Sequence, residues 1–209
     1  MLQLTQNDKK TLSISVRMLV YFFILVGTTV GIWKLAHILG SNTFGENGLV
    51  ENVQCVLLVL AALILGVAAW KHPSMRIVSL GLMSLCVLGL CREQDAWFDA
   101  HLPIVSWRIG FFFPALVVGY GLCHMKAFVH QIVAFLRTPS VALMFCAMVM
   151  VIPFAQCIGH KPLIADVVDQ CNSASIVAIR RMIEESGELL GYLMLVLAAL
   201  ELIFDSKKR

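Results

Sequence analysis

Blocks of about twenty apolar residues alternate with short polar segments along most of the chain. The apolar residues come in continuous runs and not at every second position, so the pattern favours α-helices over a β-barrel. A bilayer core about 30 Å thick needs about 20 helical residues per crossing. We therefore predict an all-α polytopic membrane bundle, a single transmembrane domain over residues 1–209. The six predicted spans cover residues 18–37, 50–70, 77–96, 104–125, 141–157 and 185–204.

Two further helical features are predicted outside these spans. Apolar positions Phe128, Ile132 and Phe135 are separated by polar ones, a pattern typical of a helix lying on the membrane surface over residues 126–138. The last helix is predicted to begin near residue 173, outside the membrane. At 1.5 Å per residue, a helix from there to residue 204 is about 50 Å long, so its first third extends beyond the hydrocarbon.

Two pairs of glycines have the small-xxx-small spacing that lets membrane helices approach closely. They are Gly27 with Gly31 in the first span and Gly187 with Gly191 in the last. We expect the first and last spans to pack against each other through these faces.

Basic residues are divided unequally between the two sides of the predicted bundle. Six spans put both termini on one side, and ten of the sixteen Lys and Arg residues fall there. Because cytoplasmic loops are enriched in basic residues, we predict cytoplasmic N and C termini. The expected location is the inner membrane of a bacterium, the bacterial source being an assumption.

Composition agrees with a membrane protein and argues against a nucleic-acid-binding protein. The chain is 59% hydrophobic and 14% charged, and its mean hydropathy is +0.85. Its net charge of +3 is not gathered into a basic patch with interleaved aromatic residues, so no nucleic-acid partner is expected. The expected partners are the lipid bilayer, a lipid or lipid-linked ligand, or another membrane protein.

Ionisable residues gather at one depth, near the outer ends of the spans. Counting twenty residues back from Asp205 puts Glu185 at the outer boundary of the membrane, and the same count puts Glu51 and Glu93 there. Since charge facing lipid is costly, we expect most of these groups to converge inside the bundle. The candidate polar site consists of Glu51, Gln54, Arg92, Glu93, Asp95, Arg108, Arg181, Glu184, Glu185 and Glu188.

Two interpretations of this charged layer stay open. The charges are either ion pairs that hold the bundle together, or the lining of a functional pocket. The acids outnumber the nearby cations, so a metal ion, protons or a ligand would supply the balance. Carboxylate and imidazole groups together can hold a divalent metal. The candidate metal ligands are Glu51, Glu93, Asp95, His101 and Glu188, although no His-x-x-x-His spacing supports them.

The chain has seven cysteines, of which two bracket the predicted outer loop. Cys157 and Cys171 would lie in an oxidising compartment, so a disulfide between them is a hypothesis, with Cys91 as a rival partner. The other cysteines fall mostly within spans, where they are expected to act as small packing residues.

Three short motifs in the charged layer resemble a set found in small uncharacterised bacterial polytopic inner-membrane proteins. That set is Glu-x-x-Gln, then Arg-Glu-x-Asp, then Glu-Glu-x-x-Glu-Leu. In this chain the motifs begin at Glu51, Arg92 and Glu184. The resemblance implies a multi-pass inner-membrane protein and brings no established activity with it.

Three functions are compatible with an acid-rich pocket open to the outer face. The favoured one is a binding or accessory membrane protein. The second is a membrane-embedded, metal-assisted hydrolase or transferase acting on a lipid or lipid-linked substrate, with the carboxylates as metal ligands or general base. The third is a cation- or proton-coupled transporter, which is favoured least because its carboxylates should lie near the midplane. The sequence identifies no cofactor.

Overall fold

The structure, a computed structural model, describes residues 5–45, 48–102, 106–158 and 173–206. Within these ranges the chain forms eight helices and no strand. They are α1 (Gln6–Leu39), α2 (Leu49–Lys71), α3 (Arg76–Glu93), α4 (Asp95–His101), α5 (Phe112–Cys123), α6 (Met125–Leu136), α7 (Ser140–Val149) and α8 (Ser173–Ser206). Short 3-10 turns at Gly40–Phe44, Pro73–Met75 and Trp107–Phe111 precede α2, α3 and α5.

The described part of the chain is helical, as predicted, and five of its segments are long and apolar enough to cross a membrane. They are Gln6–Leu39, Leu49–Lys71, Pro73–Glu93, Ser140–Cys157 and Ser175–Asp205. A sixth span exists if the bent pair Trp107–Cys123 and Met125–Leu136 counts as one, and these two segments meet at 110°. Helix α6 covers most of the surface helix expected over residues 126–138, and its position relative to the membrane stays a prediction. The count of six spans stays a prediction.

The packed centre of the protein lies between α2, α3 and α8. Leu58 and Leu65 of α2 and Leu202 of α8 are each 1% exposed. Ala61 and Ala199 are fully buried in the same cluster. Small residues at these positions let the helix backbones approach, which is the main source of packing energy between helices in lipid.

The first helix lies at the edge of the bundle, and its membrane segment is only 6% buried. It begins at Gln6, well before the predicted span, because Thr5 and Asp8 form a capping box. The expected packing of α1 on α8 through paired glycines is wrong. A Cβ added at Gly27 or Gly31 would meet no atom within 4 Å.

The glycines of α8 instead contact the helix that follows α7. This segment, Met150–Ile158, is a π-helix that contains Pro153. Proline has no backbone N–H to donate, so a wider turn accommodates it. A Cβ added at Gly187 would come within 3.0 Å of Phe154, and one added at Gly191 would overlap Val151. The close approach brings the π-helix beside the charged part of α8.

The third span ends earlier than predicted. Helix α3 stops at Glu93, Gln94 interrupts it, and α4 begins at Asp95. The break turns the chain, so Asp95 occupies the first turn of a new helix and does not extend α3.

Candidate functional site

A polar cavity of about 350 Å³ lies among the ends of α2, α3 and α4 and the N-terminal half of α8. We call it the acidic cavity. Its seven carboxylates are Glu51, Glu93, Asp95, Asp99, Glu184, Glu185 and Glu188. Its three guanidinium groups are Arg92, Arg180 and Arg181, and Phe44 and Ala96 complete the lining. Seven carboxylates against three guanidinium groups leave four carboxylates in excess.

Helix ends place several of these charges. Glu51 lies in the first turn of α2 and Asp95 in the first turn of α4. Arg92 lies in the last turn of α3. Each sign matches the helix dipole, which favours acids at the N-terminus and bases at the C-terminus. Three helix ends therefore contribute to the cavity with charges that also stabilise the helices carrying them.

Among the carboxylates that α8 contributes to the acidic cavity, the most buried one is paired. Glu188 has a side chain only 3% exposed, and its Oε1 accepts a hydrogen bond from the guanidinium of Arg92. The same oxygen accepts a second bond from Nε2 of Gln156, at 2.8 Å. Gln156 belongs to the π-helix and was not among the sequence candidates. A buried charge needs such partners, because burial without them costs several kcal/mol.

Gln54 supports the cavity from one turn deeper in α2 than Glu51. It does not line the cavity, and it is fully buried. Its Nε2 donates to the main-chain oxygen and to Oε2 of Glu185, both at 3.0 Å. Its Oε1 is buried with no hydrogen-bond partner in the described part of the chain. Gln54 thus holds Glu185 in position.

Tyr192 performs a similar role for Glu93, and sequence reasoning missed it. Its hydroxyl donates to Oε1 of Glu93 at 2.7 Å, and the residue is 3% exposed. Tyr192 follows Glu188 by four positions, which is one helical turn on the same face. A tyrosine one turn below an acidic row in an apolar run was the signal available for finding it.

Two sequence candidates lie away from the acidic cavity. Arg108 is exposed in the turn Trp107–Phe111 and does not line the cavity. His101 is exposed at the end of α4, where its ring stacks on Trp97 with 4.6 Å between centroids. The other candidates line the cavity, apart from Gln54, and the structure adds Asp99 and Arg180 to them.

The metal-site hypothesis gains no support from this arrangement. Among the described residues, no three His, Cys, Asp or Glu side chains form a group that could hold a metal ion. His101, the one imidazole among the candidate ligands, stacks on Trp97 instead.

The disulfide hypothesis is not borne out where the structure bears on it. Cys157 is an exposed free thiol, and Cys91 is also free. No disulfide joins the cysteines that the structure describes. The proposed partner Cys171 lies outside the described residues.

A second charged cluster lies at the opposite end of α8, and the sequence candidates did not include it. Glu201 is fully buried and accepts hydrogen bonds from Nε of Arg17 at 2.8 Å and from the hydroxyl of Tyr21 at 3.1 Å. Lys10 approaches Asp205 at 3.5 Å in the same region. These contacts tie α1 to α8.

Together, the fold and the acidic cavity define a class: an α-helical protein with several helices of membrane-spanning length and an excess of carboxylates gathered at one end. Comparisons with protein-family models, with curated protein sequences and with solved structures found no match for this chain. The resemblance noted in the three motifs therefore stays a prediction.

Proposed function

We propose that the protein is a six-span inner-membrane protein with both termini in the cytoplasm, and that it binds a cationic ligand in the acidic cavity. The observation that supports this most directly is the excess of four carboxylates over guanidinium groups in a cavity drawn from four helices. Charges gathered inside a membrane bundle are costly and indicate a functional site. A cation is the ligand that reduces this cost.

The hydrogen bonds to the buried carboxylates of the acidic cavity favour binding over catalysis. Glu188 accepts from Arg92, Glu93 accepts from Tyr192, and Glu185 accepts from Gln54. Each deep carboxylate is thus held in one orientation by a donor on another helix. A carboxylate oxygen has more than one lone pair, so these groups can still accept from an N–H donor of a ligand. Acceptors fixed in advance lower the entropic cost of binding.

The size of the cavity limits the ligand. At about 350 Å³ it lies near the lower end of small-molecule sites, which span roughly 300–1,000 Å³. A primary ammonium group with a few attached carbon atoms suits this volume. The exposed acids Asp95 and Asp99 stand at its rim, where an incoming cation would meet them first.

Thermal unfolding of the detergent-purified protein, followed by tryptophan fluorescence, tests the proposal. Ethanolamine in the tens of millimolar is the probe, and ethylene glycol is its uncharged control. A ligand that binds only the folded state raises the melting temperature, and raises it further as the ligand concentration increases. We expect ethanolamine to raise it and ethylene glycol to leave it unchanged.

Two variants test whether the ethanolamine shift arises at the acidic cavity. Asp95→Asn combined with Asp99→Asn removes two rim charges from exposed positions and should abolish most of the ethanolamine shift. Asp8→Asn removes one carboxylate from α1, far along the chain from the cavity, and should preserve it. Equal shifts in all three proteins, or none in the unmodified protein, would overturn the proposal.

The proposed orientation has its own test. Green fluorescent protein fused to either terminus should fluoresce, since it folds in the cytoplasm. Alkaline phosphatase fused at the same positions should be inactive. Active phosphatase at both termini would reverse the orientation and place the acidic cavity on the cytoplasmic side.

A further inference from the structure

We infer that the ligand is a phospholipid with a protonated amine in its headgroup, bound with an acyl chain in an apolar groove that opens beside the acidic cavity. This inference rests on the proposed function, because it names the class of cation that the cavity receives.

The groove consists of two adjoining apolar cavities of about 420 and 400 Å³. Both are lined by Leu82 and Leu85 of α3 and by Met144 and Met148 of α7, so they share a wall. The first cavity reaches Arg92 and the second reaches Ile77. We call the two together the lipid groove.

The length of the groove suits an acyl chain. Arg92 and Ile77 are fifteen positions apart on α3, which is about 22 Å at 1.5 Å per residue. One leaflet of a bilayer core is about 15 Å, half of its 30 Å thickness. The groove is therefore long enough to hold a chain that crosses one leaflet. Its side toward the bilayer includes Leu85, which is 53% exposed, and Phe145, which is 59% exposed.

Arg92 joins the groove to the acidic cavity, since it lines both. Its guanidinium has five N–H donors, so the bond to Glu188 leaves others for a phosphate. Tyr192 has the same double position: it lines the groove, and its hydroxyl bonds to Glu93 at the acidic cavity. Trp107 lines the groove near this junction, as tryptophans do at the membrane interface.

The order of these surfaces matches the order of groups in an aminophospholipid. An apolar groove leads to a guanidinium, and the guanidinium leads to a set of carboxylates. An acyl chain, a phosphate and an ammonium group follow one another in the same order. An anionic phospholipid lacks the ammonium group, and the excess of acids would repel its headgroup.

Native mass spectrometry of the detergent-purified protein tests the inference. The probe is an equimolar mixture of phosphatidylethanolamine and phosphatidylglycerol with identical oleoyl chains. We expect phosphatidylethanolamine adducts to exceed phosphatidylglycerol adducts several-fold on the unmodified protein. Equal occupancy by the two lipids would overturn the inference.

Leu85→Trp fills the groove, and Leu116→Trp makes the same change at an exposed position of α5 that does not line it. The first variant should lose phosphatidylethanolamine adducts several-fold, and the second should retain them. Met148→Trp narrows the groove from α7 and serves if Leu85→Trp does not purify as a folded protein. Equal adducts on the groove variant and on Leu116→Trp would overturn the inference.

The ethanolamine shift separates this inference from the proposed function. A groove variant that loses the lipid but keeps the shift supports both. If the lipids bind equally while ethanolamine still raises the melting temperature of the unmodified protein, the lipid inference fails and the cationic ligand stands. Absence of that shift in the unmodified protein removes the proposed function, and the lipid inference fails with it.

Discussion

Arg92 of α3 donates a hydrogen bond to Glu188 of α8, a residue 96 positions further along the chain. The two side chains differ in exposure: that of Arg92 is 37% exposed, and that of Glu188 is 3% exposed. The carboxylate therefore depends on the guanidinium more than the guanidinium depends on it. This asymmetry decides which substitution should be the more damaging.

We expect Arg92→Met to lower the free energy of unfolding by about 2–3 kcal/mol, because it leaves a buried carboxylate with Gln156 as its remaining donor. Glu188→Gln should cost less, since an amide oxygen still accepts from both donors. The double variant should be more stable than Arg92→Met alone. Unfolding in mixed detergent micelles with increasing dodecyl sulfate measures all three. Strictly additive losses would mean that the pair is not coupled.

A second prediction concerns the attachment of α1. Arg17→Met should lower the free energy of unfolding by about 3 kcal/mol, because Glu201 is fully buried and would keep only the Tyr21 bond. Lys9→Met is the control in the same helix. Lys9 is exposed, so its replacement should change stability by less than about 0.5 kcal/mol.

The same dodecyl sulfate titration compares these two variants. Similar losses for Arg17→Met and Lys9→Met would show that the buried contact with Glu201 does not hold α1.

Gln131, in the middle of α6, gives a third prediction. Its Oε1 accepts from the main-chain N–H of Ile77 at 2.7 Å, and its Nε2 donates to the oxygen of Pro73 at 3.3 Å. Gln131→Met would leave a buried N–H without an acceptor, at a cost of about 1–3 kcal/mol. His130→Met, at the exposed neighbouring position, should change stability by less than about 0.5 kcal/mol.

Denaturant midpoints of the two variants, measured side by side, check this prediction. If Gln131→Met unfolds at the same midpoint as His130→Met, α6 is not anchored to the start of α3 through this side chain.

Helix positions were predictable from the sequence wherever a continuous apolar run decides them. Helix α2 spans Leu49–Lys71 against a prediction of residues 50–70, and α8 spans Ser173–Ser206 against 173–204. Counting twenty residues per span also predicted that acids of separate helices lie at one depth, because lipid imposes a nearly constant span length. Acids of α2, α3 and α8 do line one cavity. The break at Gln94 was missed, since nothing in the local sequence is a strong helix stop.

Contacts between helices were not predictable in the same way. Gln156 donates to Glu188 from the π-helix that contains Pro153, and hydrophobic periodicity does not report a π-helix. The link from Arg17 to Glu201 joins residues 184 positions apart, and its geometry depends on how α1 lies against α8. Glu201 lies inside an apolar run, and this position alone does not identify its partner.

The last prediction returns to the two glycine pairs, which the sequence presents as equivalent and the structure separates. Gly191→Ala should destabilise the protein by about 1–3 kcal/mol, because the new methyl group would overlap Val151 and lie 3.2 Å from the main-chain oxygen of Ala147. Gly31→Ala meets no atom within 4 Å, and better helix propensity should leave stability unchanged or raise it by up to about 1 kcal/mol.

Both glycine variants change one hydrogen to one methyl group, so the difference between their melting temperatures reports the effect of packing. Melting temperatures in the same detergent should fall for Gly191→Ala and hold or rise for Gly31→Ala. A loss at Gly31 as large as that at Gly191 would mean that α1 has a close neighbour along this face. The position of α1 at the edge of the bundle would then be wrong, because a packed face and an open face cannot respond alike to the same methyl group.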